Sequence, residues 1–233
     1  MNLRNVLSVL LFQLALLSPA VLVAQDFSGV KWKRDEDNTP KQDKMGSGKN
    51  PSTKDATNNQ GEYTFEITTT KGGKQRQEWK YERRQGYTGM ELKFRINSTY
   101  KAFDQVGIVQ CHDDQTGSEG VFSIYQIRKS RGKYFFGVQG DTTEAQNQYR
   151  KFKPVEIKLD QWYKLKLRTN TQGKTNSFER AQLLLEGKKI YDNVIKGGGD
   201  KESYYKIGAY RLNSGSGKMS VTFNNIKFYT GKK

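Results

Sequence analysis

From Tyr63 onward the chain runs in short stretches of alternating apolar and polar residues, each closed by Gly, Asn, Asp or a charge. Strand side chains point alternately to the two faces of a sheet, so a period of two predicts half-buried β-strands. The stretches are 63–69, 75–81, 90–96, 106–112, 121–128, 134–138, 155–159, 163–168, 181–185, 189–191, 204–210 and 220–228. No window with helical spacing competes with them. Short strands at regular intervals, separated by turn residues, predict an all-β, two-sheet antiparallel β-sandwich, best fitted by a jelly roll. Glu186-Gly187 between two stretches predicts a hairpin turn. A first strand is expected around 27–32, paired with the last.

The chain before Tyr63 has a different texture. Arg4, the apolar run 6–17, Ser18-Pro19-Ala20 and Ala24 before Gln25 read as a signal peptide over residues 1–24. The run is short for a membrane span, and Gln13 and Pro19 interrupt it. The expectation is a secreted chain, extracellular or periplasmic, with no membrane association after removal of the signal. Residues 34–60 are almost wholly Lys, Asp, Asn, Thr, Ser and Gly, and are expected to form a long polar loop. Residues 25–233 then make a single domain.

Composition narrows the chemistry. Aromatic residues are 12 % of the 233, enough for a core and too many for a disordered chain. One Cys excludes a disulfide framework and multi-Cys metal sites, and one His excludes two-His zinc motifs. No metal or organic cofactor is expected. The formal charge is +16, which suits an acidic partner.

Three strands gather polar groups on one face. Arg76, Glu78 and Lys80 alternate with Gln77, Trp79 and Tyr81. Gln110 and His112 alternate with Val109 and Cys111, which suits Cys111 to the core. Tyr204, Lys206, Gly208 and Tyr210 alternate with Tyr205, Ile207 and Ala209. Together they form a candidate concave, basic sheet surface. An alternating charged strand is more often a solvated face, as Lys164, Lys166 and Arg168 illustrate.

At these three strands the sequence resembles the jelly-roll alginate lyases of polysaccharide lyase family 7. That family carries Arg-Ser/Thr-Glu-Leu-Arg, Gln-Ile/Val-His and Tyr-Phe-Lys-Ala-Gly-x-Tyr-x-Gln, in that order. Here they stand as Arg76-Gln77-Glu78-Trp79-Lys80, Gln110-Cys111-His112 and Tyr204-Tyr205-Lys206-Ile207-Gly208-Ala209-Tyr210. Departures are Gln77, Lys80 for the second Arg, Cys111, Ile207, and Leu212 for the closing Gln. Lys80 keeps the charge and loses the bidentate fork.

The resemblance implies β-elimination on a polyuronate. The proton at C5, beside the sugar carboxylate, is removed and the C4–O glycosidic bond breaks. The carboxylate must be neutralised and the enolate-like intermediate stabilised by fixed donors. Arg76, Gln110 and His112 supply a cation, an amide and an imidazole for this. Tyr204 matches the family's catalytic Tyr. It serves as base and acid when proton and leaving group share a side; when they do not, His112 is the base and Tyr204 the acid. Glu78, Lys80, Lys206 and Tyr210 are the expected substrate-binding set, with Glu78 orienting Arg76. The expected partner is an anionic polysaccharide, alginate first, and the chain is expected to be a monomer. Alternatives are a glucuronan lyase of the same fold and a non-catalytic lectin-like sandwich. A nucleic-acid binder has only the charge in its favour. A glycoside hydrolase lacks its pair of carboxylates.

Overall fold

The computed structural model describes residues 27–39, 41–42, 57–59, 61–69, 76–98, 105–113, 121–139, 154–171, 178–196, 202–211 and 217–233. The expected signal peptide lies outside them. Every regular element among them is a strand. In chain order they are β1 (Lys31–Arg34), β2 (Lys41–Gln42), β3 (Thr57–Asn59), β4 (Glu62–Thr69), β5 (Arg76–Lys80), β6 (Arg84–Ile96), β7 (Gln105–Asp113) and β8 (Val121–Ser130). They continue as β9 (Lys133–Gln139), β10 (Val155–Ile157), β11 (Trp162–Thr171), β12 (Phe178–Leu185), β13 (Lys188–Lys196), β14 (Glu202–Arg211) and β15 (Gly217–Lys232).

All strand pairs are antiparallel. One sheet runs β13-β12-β11-β6-β15, with β15 flanked by β4 over its first half and by β1 at its end. The other runs β10-β9-β8-β7-β14-β5-β2. The sheets join where Arg84 and Gln85, opening β6, pair with Ser203 and Glu202 of β14. This is the two-sheet jelly roll that the alternation predicts, and β1 does pair with the last strand.

The inward positions make one core. Met90, Leu92 and Phe94 of β6 stand opposite Leu167, Leu165 and Tyr163 of β11, and all six are buried. From the other sheet Val109, Cys111, Tyr125, Ile127, Phe136, Tyr205 and Ile207 face them, each fully buried. Phe94 meets Phe136 at 5.4 Å across the sheets. The Tyr205 hydroxyl reaches Thr169 Oγ1 at 2.8 Å, and Thr169 meets Thr88 at 2.7 Å. A buried hydroxyl needs such a partner. On the outer face of the first sheet Lys166 pairs with Glu91, and Arg168 lies 5.4 Å from the Trp32 ring.

Three expectations shift. The first strand starts at Lys31, because Gly29 at φ +70° turns the chain just before it. The polar segment 34–60 holds two short strands, β2 and β3, whose pairing is made by backbone and needs no apolar pattern. β6 begins at Arg84 rather than Met90, since Gln85, Gly86 and Gly89 interrupt the alternation. The Glu186-Gly187 hairpin is as expected, with φ +50° and +76° over two residues between β12 and β13.

Candidate active site

The three polar strands are neighbours in the second sheet, in the order β7-β14-β5. Register sets which side chains meet. Lys206 of β14 stands between Gln110 of β7 and Lys80 of β5, and Tyr204 stands opposite His112. Gly208 faces Glu78, and Tyr210 faces Arg76 at the far end. The expected site residues thus share one face, with Tyr210 and Arg76 at one end and His112 and Tyr204 at the other.

A chain of hydrogen bonds crosses the strands. Glu78, 4 % exposed, accepts from Gln110 Nε2 and lies 3.8 Å from Arg76 Nε. A carboxylate only accepts, so Gln110 must turn its NH₂ to Glu78 and its carbonyl oxygen to His112. That oxygen is 3.0 Å from His112 Nε2. His112 therefore donates from Nε2, and its Nδ1 carries the lone pair. Nδ1 is buried without a hydrogen-bond partner among the described residues. Burial, followed by the charges of Lys206, Lys80 and Arg76, lowers the His112 pKa from 6.5 to about 2. The imidazole is neutral across the ordinary pH range.

His112 stacks on Tyr204 with centroids 4.9 Å apart and planes 4° from parallel. Positive charge gathers around the same phenol ring. Lys80 Nζ is 4.1 Å from its centroid, Lys206 Nζ 5.8 Å, and the Arg83 guanidinium 5.7 Å. Lys80 and Lys206 also stand directly opposite each other, which sets two like charges side by side on this face. A cavity of about 430 Å³, within the range of small-ligand sites, opens beside them; Lys80, Tyr81, Glu82 and Arg83 line it.

Arg83 escapes the sequence reading. It follows β5 after the alternation has ended, where an Arg reads as surface charge. Only the register of β5 on β14 brings it to Tyr204.

A family model described as alginate lyase matches residues 40–230. The chain belongs to the alginate lyase family. It is a polysaccharide lyase, and its fold agrees. A marine family 7 alginate lyase from Zobellia galactanivorans superposes with a TM-score of 0.56 at 18 % identity, covering 73 % of this chain and 78 % of that one. An alginate lyase from Pseudomonas aeruginosa gives 0.56 at 12 % identity, over 76 % and 86 %. An endo-β-1,4-glucuronan lyase from the fungus Trichoderma reesei gives 0.53 at 12 % identity, over 88 % and 92 %. Identities this low establish a shared fold. No curated protein matches the chain in sequence.

Proposed function

We propose that this lyase is secreted and cleaves an acidic polyuronate, alginate first, by β-elimination to unsaturated oligouronates. The observation that carries the proposal is the stacked His112–Tyr204 pair set among Lys80, Lys206 and Arg83. The solved alginate lyases with this fold include complexes with an alginate tetrasaccharide and with dimannuronate. Both ligands are anionic polysaccharide fragments.

The chemistry assigns separate tasks. The uronate carboxylate must lose its charge before C5–H can ionise. His112 is neutral, so the charge comes from Arg76, with Lys206 and Lys80 nearby. Gln110 keeps a second N–H for the substrate beyond the one given to Glu78. Glu78 touches Gln110 and Arg76 and holds both in place, which makes it a positioning residue. Tyr204 delivers a proton to O4 as the C4–O bond breaks. The C5 proton goes to Tyr204 when it lies on the leaving-group side; otherwise His112 is the acceptor, and substrate binding must first uncover its buried Nδ1 and restore its basicity. In both cases the C5–H electrons form the C4–C5 double bond, and no water is consumed.

Glucuronan is the second substrate to try, because the glucuronan lyase covers more of this chain than the alginate lyases named above. The test is ultraviolet absorbance on mixing the purified protein with alginate, poly-mannuronate, poly-guluronate or glucuronan. A rise reports the new double bond, which hydrolysis cannot make. His112→Ala and Tyr204→Phe should each cut the rate by about 10²–10⁴-fold, with unchanged circular dichroism. No rise with any of the four polymers rejects the alginate and glucuronan readings.

A further inference from the structure

The chain from β1 to β2 crosses from one sheet to the other and fastens the segment that carries Arg83. β1 is paired to β15, and β2 to β5. Between them Asp35 donates its N–H to the Phe228 carbonyl at 2.9 Å and accepts from Arg84 Nε at 2.6 Å. Asn38, 4 % exposed, spends its whole amide on one residue. The Glu82 N–H donates to Asn38 Oδ1 at 2.8 Å, and Asn38 Nδ2 donates to the Glu82 carbonyl at 3.3 Å. Arg83 is therefore clamped on both sides, at Glu82 and at Arg84, while its own side chain is exposed and walls the cavity beside Tyr204.

Asn38 thereby fixes the backbone next to Arg83. Arg76 lies at the far end of β5, about 13 Å along the strand from Lys80, and Arg83 lies beyond Lys80. The two arginines thus stand toward opposite ends of this segment, far enough apart to meet different sugars of one chain. Among the described basic groups around the Tyr204 ring, only Arg83 has the planar fork that binds a carboxylate through two N–H groups.

We propose that Arg83 is a substrate-binding residue that takes the carboxylate of a uronate neighbouring the one cleaved, and that Asn38 is the positioning residue that holds it there. Residues 35–39 precede the part of the chain matched by the alginate lyase family model, so this support is built outside the matched region. The inference rests on the polyuronate reading above.

The experiment is steady-state kinetics by ultraviolet absorbance on the polymer that wild-type protein cleaves. Arg83→Ala should raise KM about tenfold, the worth of a charged hydrogen bond, with kcat within about twofold. Arg83→Lys should fall between it and wild type. Asn38→Ala should raise KM in the same direction and add nothing in the Arg83→Ala background, because it acts through Arg83. Lys133→Ala, which removes an exposed charge on β9 paired with Glu156 of β10, should leave KM unchanged and so excludes a net-charge effect. Activity in wild type with an unaltered KM in Arg83→Ala overturns this inference alone. An equal rise in KM for Lys133→Ala also overturns it. No activity in wild type on any polyuronate overturns the lyase reading and this inference with it.

Discussion

Gly208 has φ +149°, and an ideal Cβ built on it would stand 2.1 Å from the Gln77 carbonyl oxygen and 2.7 Å from Glu78 Cα. Real Cβ atoms do not come that close, so β14 can press against β5 here only as glycine. The consequence reaches the site. Glu78 on β5 and Gln110 on β7 are separated by β14, and they meet because the intervening position has no side chain. The pairing of β14 with β7 also slips between Ile207 and Tyr210, which marks a bulge at this point. Gly208→Ala should cost about 1–3 kcal/mol by overlap and a similar amount by backbone strain at positive φ. The expected outcome is a lower thermal midpoint together with a lower kcat, since Gln110 loses its anchor. A variant with wild-type stability and wild-type kcat would show that the close approach of β14 to β5 is not needed.

At the scale of elements, the alternation of apolar and polar residues was enough to place most strands and both faces of β5, β7 and β14. Cys111, Tyr205, Ile207 and Ala209 are buried as that alternation predicts. What it could not show was set by register and backbone. β2 is two residues long and exists because β5 offers it an unpaired edge. The first half of β6 is polar and glycine-containing, yet its pairing with Ser203 and Glu202 joins the two sheets. Arg83 and Asn38 are far apart in sequence and ordinary in type, and only the folded chain joins them through Glu82. The family blocks marked the polar strands but not the hydrogen-bond chain from Glu78 to His112. Tyr205 shows a related gap. Its alternation assigns it to the core, while its hydroxyl ties β14 to β11 through Thr169. Tyr205→Phe should lower stability by about 1 kcal/mol, read as an earlier urea midpoint at unchanged slope. Thr169 keeps its bond to Thr88, so a loss above about 3 kcal/mol would mean that the hydroxyl supports more than this one tie.

The whole molecule carries a formal charge of +16, and part of that charge bears on His112. Burial and then Lys206, Lys80 and Arg76 hold the folded imidazole neutral down to about pH 2, whereas the unfolded chain protonates it below 6.5. Between those values the unfolded state binds one proton more than the folded state. Stability must therefore fall as pH falls from 6.5, by up to about 1.4 kcal/mol per pH unit, and this contribution is flat above 6.5. The carboxylates act in a lower window. Burial raises the Asp192 pKa, but hydrogen bonds from Arg180, Lys189 and Gln182 outweigh it and hold the group below its usual value. Burial likewise opposes the lowering of Glu91, which the Lys166 pair achieves. Groups lowered in the fold stabilise it above their unfolded pKa, and that stability goes as pH drops through the folded value. Two slopes should then appear in the thermal midpoint against pH, one starting near 6.5 and one below the carboxylate range. His112→Asn should remove the first and leave the second. A wild-type midpoint constant between pH 7 and 5 would contradict a buried neutral His112. The imidazole would then take up its proton near pH 6.5 in the folded site as in the unfolded chain, and below that pH it would share the carboxylate-neutralising role with Arg76.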